Sequence, residues 1–227
     1  MWSRGFKSNF EFLILYLKRI AIAGIHTGIG KTIAAAVIAE TIGADYWKPI
    51  QAGIAERDTE VVKNLISNGP GRVHQEAILL TQPMSPHAAA AIDHVDIDYK
   101  KFKWPETENM LIVETAGGIL SPMSANTTMA DFMAYYRLPV ILVTQNYLGS
   151  INHTLMSIEV LKNRGIKLIG IVINGIENVS SETFIEQYAH APILARIPHF
   201  DQIHGNLIIQ CAANISEELI QNIRSFK

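Results

Sequence analysis

The chain has 227 residues, 48% hydrophobic and 18% charged, which suits an α/β domain with a sizeable buried core and excludes a disordered chain. Its net charge of −2 gives no basis for general attraction to nucleic acid or anionic membrane. One cysteine, Cys211, excludes an internal disulfide, and eight scattered histidines lack zinc-finger or metalloprotease spacing.

Residues 10–17 (FEFLILYL) are apolar behind Arg4 and Lys7, but Glu11 interrupts them and no small-residue cleavage site follows. The run is too short to span a bilayer. It reads as an extra helix or strand on the core, or as the product of an upstream start codon. Residues 1–17 are thus an extension to one domain over 1–227, and the protein is expected in the cytoplasm.

Residues 20–25 predict a buried strand, followed by the turn GIHTGIGKT (24–32). An Ala-rich helix runs to Ile42, with Gly43 as its C-cap. A second strand is expected over 45–50, ending at Lys48-Pro49. A helix over 56–68 is broken by Gly69-Pro70-Gly71. A short apolar run at 77–80 precedes a helix over 85–92, with Ser85 as cap and Pro86 at the first helical position. Residues 96–103 read as a solvated helix.

Residues 110–113 form a strand that ends in Glu114-Thr115-Ala116-Gly117-Gly118. A helix over 128–136 leads to 139–144 (PVILVT), whose continuous β-branched character marks a strand buried on both faces. The rest alternates: helix 150–163, strand 167–173 ending at Asn174-Gly175, helix 182–190, strand 192–197 and helix 216–225. This alternation predicts an α/β fold, a mostly parallel sheet flanked by helices on both faces, P-loop NTPase-like. Ligands in such sheets lie beyond the carboxyl ends of the strands. The turn after Ile22, Lys48, Glu114, residues 146–150 and Asn174 all fall there.

The turn at 24–32 carries a physical argument of its own. Backbone N–H groups of a glycine turn converge, and the next helix adds its unpaired donors and dipole. Gly28 and Gly30 can adopt the backbone angles required and leave room for phosphate. Lys31 would reach the β- and γ-phosphates, and the Thr32 hydroxyl would ligate Mg²⁺. The first glycine is Gly24, so the loop is one residue longer than G-x-x-x-x-G-K-[ST].

Three charged residues join it. Glu114 is suited to holding Mg²⁺ with Thr32, or to capping a helix start; spacing alone leaves both readings open. Asp58 could join the same ion or stand as an exposed helix-start acid. Lys48 could stabilise phosphoryl oxygens or be a solvated strand end.

GIHTGIGKT, YWKPIQAG, SPHA, VETAGG, PVILVTQNYLGSINHTL and IVING occur in this order over 20–198. The set resembles the dethiobiotin synthetase family, whose phosphate loop has the same extra residue. The resemblance implies ATP- and Mg²⁺-dependent carboxylation and ring closure of 7,8-diaminopelargonate, a diamino fatty acid, with CO₂ or bicarbonate. It implies a catalytic set of Lys48, Lys31 and Thr27. Gly28, Ile29, Gly30, Lys31, Thr32 and Ile33 would wrap the phosphates. Asp58, Glu114, Thr115, Ala116 and Gly117 would complete the nucleotide site. Asn174 and Gly175 would read adenine, an amide being able to bond N6 and N7 together. Ile197, Pro198 and His199 would line the base.

Thr32, Asp58 and Glu114 match the Mg²⁺ ligands. Gly149, Ser150, Ile151 and Asn152 match a helix start that holds the substrate carboxylate across a homodimer interface. Two departures touch this set. His26 stands where the family usually has Asp, and Ala52 where it usually has a substrate-contacting Ser. His87 of SPHA reads as structural. Alternatives are a non-catalytic regulatory module of the same ancestry, or a partition-type switch ATPase. The latter carries an extra lysine near the first glycine, where this chain has Ile25 and His26.

Overall fold

A computed structural model describes residues 18–226, so the expected N-terminal element at 10–17 lies outside the described residues. The strands are β1 (Arg19–Gly24), β2 (Asp45–Trp47), β3 (Ile50–Ala52), β4 (Val73–His74), β5 (Ile78–Leu80), β6 (Leu111–Gly118), β7 (Val140–Thr144), β8 (Leu168–Asn174) and β9 (Ile193–Ile197). The helices are α1 (Lys31–Ile42), α2 (Asp58–Leu65), α3 (Gly69–Arg72), α4 (Pro86–Ile92), α5 (Met129–Tyr135), α6 (Ser150–Asn163), α7 (Val179–Ala189) and α8 (Gly205–Ser225).

Seven strands make one sheet in the order β4-β2-β6-β1-β7-β8-β9, and each neighbouring pair is parallel. The central strands bury both faces, which explains their unbroken apolar runs. Ile20, Ile22, Ile141 and Val143 face one core with α1 and α8. Ala21, Ala23, Val140 and Leu142 face the other with α5 and part of α6. Six consecutive residues of α1, Ala34 to Ala39, are fully buried. Each buried Val or Ile stabilises by about 1.5–3 kcal/mol. Packing therefore holds this helix more than propensity does, since the spread among ordinary residues is about 0.7 kcal/mol.

Several expected boundaries are corrected. The strand at 45–50 is two strands: β2 belongs to the main sheet, and β3 pairs with β5 in a separate two-stranded sheet. Pro49 has no N–H to continue a ladder, so the chain changes sheet there and leaves Lys48 at the joint. The helix at 56–68 shortens to α2; Asn68 turns left-handed (φ 54°) and Gly69-Pro70 start α3 instead of merely breaking the chain. At 96–103 there is one 3₁₀ turn, Tyr99–Lys101, solvated along Lys100 and Lys101 and anchored by Tyr99, which is buried against Phe132. Ser85 occupies the N-cap position of α4, but its hydroxyl pairs with His87 Nδ1 at 3.0 Å. The last helix starts eleven residues before the expected 216, at Gly205.

The strand expected to end at Val113 runs on to Gly118. Ile22 is level with Glu114 and Gly24 with Gly118, so β6 carries extra residues in an irregular stretch against β1. An irregular, glycine-containing ending has no period for a sequence reading to detect.

Candidate active site

Strand order alone puts the phosphate loop, Glu114 and Lys48 side by side. β1, β6 and β2 are neighbours, and their carboxyl ends carry the loop, Glu114 and Lys48 respectively. Trp47 is level with Val113, so Lys48 follows opposite Glu114.

The loop has the geometry its glycines permit. Gly28 and Gly30 have φ of 77° and 88°. A Cβ on Gly30 would also lie 2.1 Å from the Asn174 amide nitrogen, which donates to the Ile29 carbonyl at 3.1 Å. Ile29 and Ile33 anchor the loop and first turn in the core. Thr27 and Gly28 are exposed, facing where a phosphate would sit. Lys31 folds over the loop with Nζ 3.2 Å from the His26 carbonyl. Burial lowers its pKa, opposed by Glu114 and reinforced by Lys48.

Behind the loop, two carboxylates share one hydroxyl and one ammonium. Thr32 Oγ1 donates toward Asp58 Oδ1 at 2.6 Å and lies 3.1 Å from Glu114 Oε1. Lys48 Nζ pairs with Asp58 Oδ2 and with Glu114 Oε1, the latter at 3.3 Å. Burial alone would lower the Lys48 pKa, but Glu114 and Asp58 outweigh it and hold the ammonium above its ordinary range. Glu114 is 1% exposed. One hydroxyl proton cannot serve both carboxylates fully. Two carboxylates and a hydroxyl are hard oxygen donors, and Mg²⁺ is held by one or two carboxylates together with phosphate oxygens and water. The residues fit that ion.

A cleft of 370 Å³ opens beside this cluster, lined by Thr27, Lys48, Ala52, Asp58, Ala116 and Gly117 among others. Thr115 points away from it, with its hydroxyl 3.3 Å from the Ile22 carbonyl. Beyond Asn174, the Gly175 N–H donates to the Ile197 carbonyl at 2.8 Å, joining the tips of β8 and β9. Pro198 and His199 are exposed just beyond.

The expected substrate residues do not meet within one chain. Ala52 lines the cleft. Gly149, Ile151 and Asn152 line a separate groove of 730 Å³ between the β7–α6 and β8–α7 loops, and Ser150 is buried. β7 lies on the far side of β1 from β2, which separates the two.

Sequence reading missed three supports. Gln51 accepts the Asp58 backbone N–H at 3.3 Å. Tyr46 donates its hydroxyl to Glu114 Oε2 at 2.8 Å. Glu182 accepts from Asn146 at 2.6 Å and the Asn178 N–H at 2.8 Å and pairs with Arg196. Gln51 and Tyr46 flank the Lys-Pro pair, and a polar residue there was the available signal. Glu182 sits in a helical pattern that reads as solvent-facing.

A parallel sheet whose first strand feeds a glycine loop, Lys-Thr and a buried helix defines a P-loop nucleotide-binding protein. The model of a family described as an AAA domain matches residues 18–206. The chain is 47% identical over 190 residues to the ATP-dependent dethiobiotin synthetase BioD of Christiangramia forsetii, covering 82% of this chain and 91% of the relative. It is 38% identical over 200 residues to the protein of the same name from Cytophaga hutchinsonii, covering 88% and 97%. A solved MinC:MinD cell division protein complex from Aquifex aeolicus shares the fold, with a TM-score of 0.50, 13% identity, and 92% and 95% covered. This chain belongs to the ATP-dependent dethiobiotin synthetase family.

Proposed function

We propose that this chain is an ATP-dependent ligase that carboxylates 7,8-diaminopelargonate and closes it to the cyclic urea dethiobiotin, releasing ADP and phosphate. One observation carries the reading: in a member of this family, Lys48, Thr32, Asp58 and Glu114 converge behind the phosphate loop beside an open cleft. One amine of the diamine takes up CO₂ and loses a proton, giving a carbamate. The carbamate oxygen takes the γ-phosphoryl group from ATP. The second amine attacks the carbonyl carbon, and the carbon–oxygen bond to phosphate breaks.

The chain's task is positioning and charge. Backbone N–H groups from Gly28 to Ile33 would hold the phosphates, with Lys31 on the β- and γ-groups and Thr27 at the loop mouth. Lys48, kept charged by its two carboxylates, faces the transferring oxygens. Thr32, Asp58 and Glu114 would hold Mg²⁺, which supplies charge neutralisation to the phosphates. Asn174, Gly175, Ile197, Pro198 and His199 would take the adenine. Ala52 would border the diamine, and 149–152 of a second copy would take its carboxylate, making the working unit a homodimer. No helix among the described residues is long and apolar enough to cross a membrane; the proposed site of action is the cytoplasm.

The test is phosphate release from ATP by the purified protein with Mg²⁺ and bicarbonate. Release that depends on the diamine, with dethiobiotin formed, is expected. Release that ignores the diamine would overturn the assignment and favour a switch ATPase.

A further inference from the structure

We infer that Tyr46 is a positioning residue that fixes which oxygen of Glu114 faces the metal; this rests on the reading of Glu114 as a Mg²⁺ ligand. The geometry follows from register. Tyr46 of β2 is level with Ile112 of β6. Side chains two apart on a strand share a face, so Glu114 lies diagonally across from Tyr46 on the face covered by α1. A tyrosine is long enough to cover that diagonal, and its hydroxyl reaches Glu114 Oε2 at 2.8 Å.

The two oxygens of Glu114 are thereby divided. Oε2 accepts from Tyr46, inside the core, where both residues are 1% exposed or less. Oε1 faces Thr32 and Lys48 at 3.1 and 3.3 Å. With Oε2 engaged, the carboxylate is held to one-oxygen coordination through Oε1, toward the hydroxyl that would share the ion. A phenol is also the right donor for this position. It donates one hydrogen bond without adding a positive charge beside the carboxylate. Among the described residues the Asp58 carboxylate meets Thr32 and Lys48 and has no phenol behind it, and Gln51 holds its backbone. The two carboxylates therefore differ in stiffness, and Glu114 is the fixed one.

Hydrogen-bond partners of ligating groups typically contribute 10–100-fold to metal affinity. The test is a Tyr46→Phe variant, which keeps the ring and removes only the donor. A fluorescent, non-hydrolysable ATP analogue is bound first without metal, and Mg²⁺ is then titrated into the complex. The variant is expected to bind the analogue without metal within twofold of wild type and to need about 10-fold more Mg²⁺ for half-saturation. In a Glu114→Gln background the same substitution is expected to add less than twofold. Half-saturation within twofold of wild type in Tyr46→Phe, while Glu114→Gln alone shifts it strongly, would overturn the inference and leave the proposed function intact. An equal loss with and without Mg²⁺ would show a packing role and overturn it too. A Glu114→Gln variant with an unmoved Mg²⁺ requirement would remove Glu114 from the metal, and this inference with it.

Discussion

The two sides of β1 are built differently. On the β6–β2 side, Lys48, Thr32, Asp58, Glu114 and Tyr46 hold one another in place at a largely buried strand edge. On the β7–β8 side the polar network sits below the surface, around Glu182, while the loops above it expose Leu148 completely and Ile176 by 80%. One edge is preorganised within a single chain. The other presents apolar surface beside the groove where the family resemblance places a second copy. Phosphoryl chemistry gains from fixed charges, whereas a two-chain substrate site needs a surface that can be covered.

Substitutions can break or sharpen this contrast. Lys48→Ala is expected to have the largest effect, about a 10²–10³-fold loss of turnover with nucleotide affinity held within a few-fold, measured by steady-state kinetics and equilibrium binding. Unchanged turnover would strip the first edge of its role. Glu182→Ala should cost about 3 kcal/mol in urea unfolding, the low end for a broken buried pair, because Arg196 stays a third exposed and can rehydrate. A loss below ~1 kcal/mol would mean that the second edge has no rigid base.

Glu76→Gln comes next, at about 2 kcal/mol. Glu76 anchors Arg57, the residue before Asp58, through contacts of 3.1 and 2.5 Å. Burial, the largest single influence, raises the Glu76 pKa, but the hydrogen bond and charge of Arg57, with Thr59 and the backbone N–H of Glu76, together outweigh it and hold it low. Its stabilisation is therefore full above the ordinary carboxylate range of about 4.3 and is lost as pH falls through the lower folded value. The melting difference between wild type and variant should be complete at neutral pH and close in acid; a gap that persists there would contradict the pairing. Ala52→Ser should lower the KM for the diamine by the worth of one hydrogen bond, about 0.5–1.5 kcal/mol. No change would mean that another group has replaced that contact. Leu148→Ser should leave monomer stability within about 0.5 kcal/mol. It should weaken self-association in sedimentation, and an unmoved dimer would place the second copy elsewhere.

The fold was legible wherever burial imposed an unbroken apolar run. β1, α1, β7 and β8 came from apolar runs and the glycine turn. What escaped was local or irregular: Pro49 sending the chain to a second sheet, the continuation of β6 past Glu114, and the start of α8 at Gly205. At the site, Lys31 and Thr32 could be named from the glycine loop, Lys48 and Glu114 from charge at a strand end, and Asp58 from the family resemblance. Tyr46 was marked only by its place beside the Lys-Pro pair, because its partner is set by strand register, and register between β2 and β6 is a long-range property. The division of 149–152 from Ala52, by contrast, agrees with the cross-interface role that the family resemblance implies for 149–152.

The Asn174 amide seated on the Ile29 carbonyl has a mechanical consequence. It ties the tip of β8 to the glycine loop, so the proposed grips on the base and on the phosphates would shift as one jaw. Replacing Asn174 would slacken that jaw at both ends, and even a tripolyphosphate without any base would feel the difference.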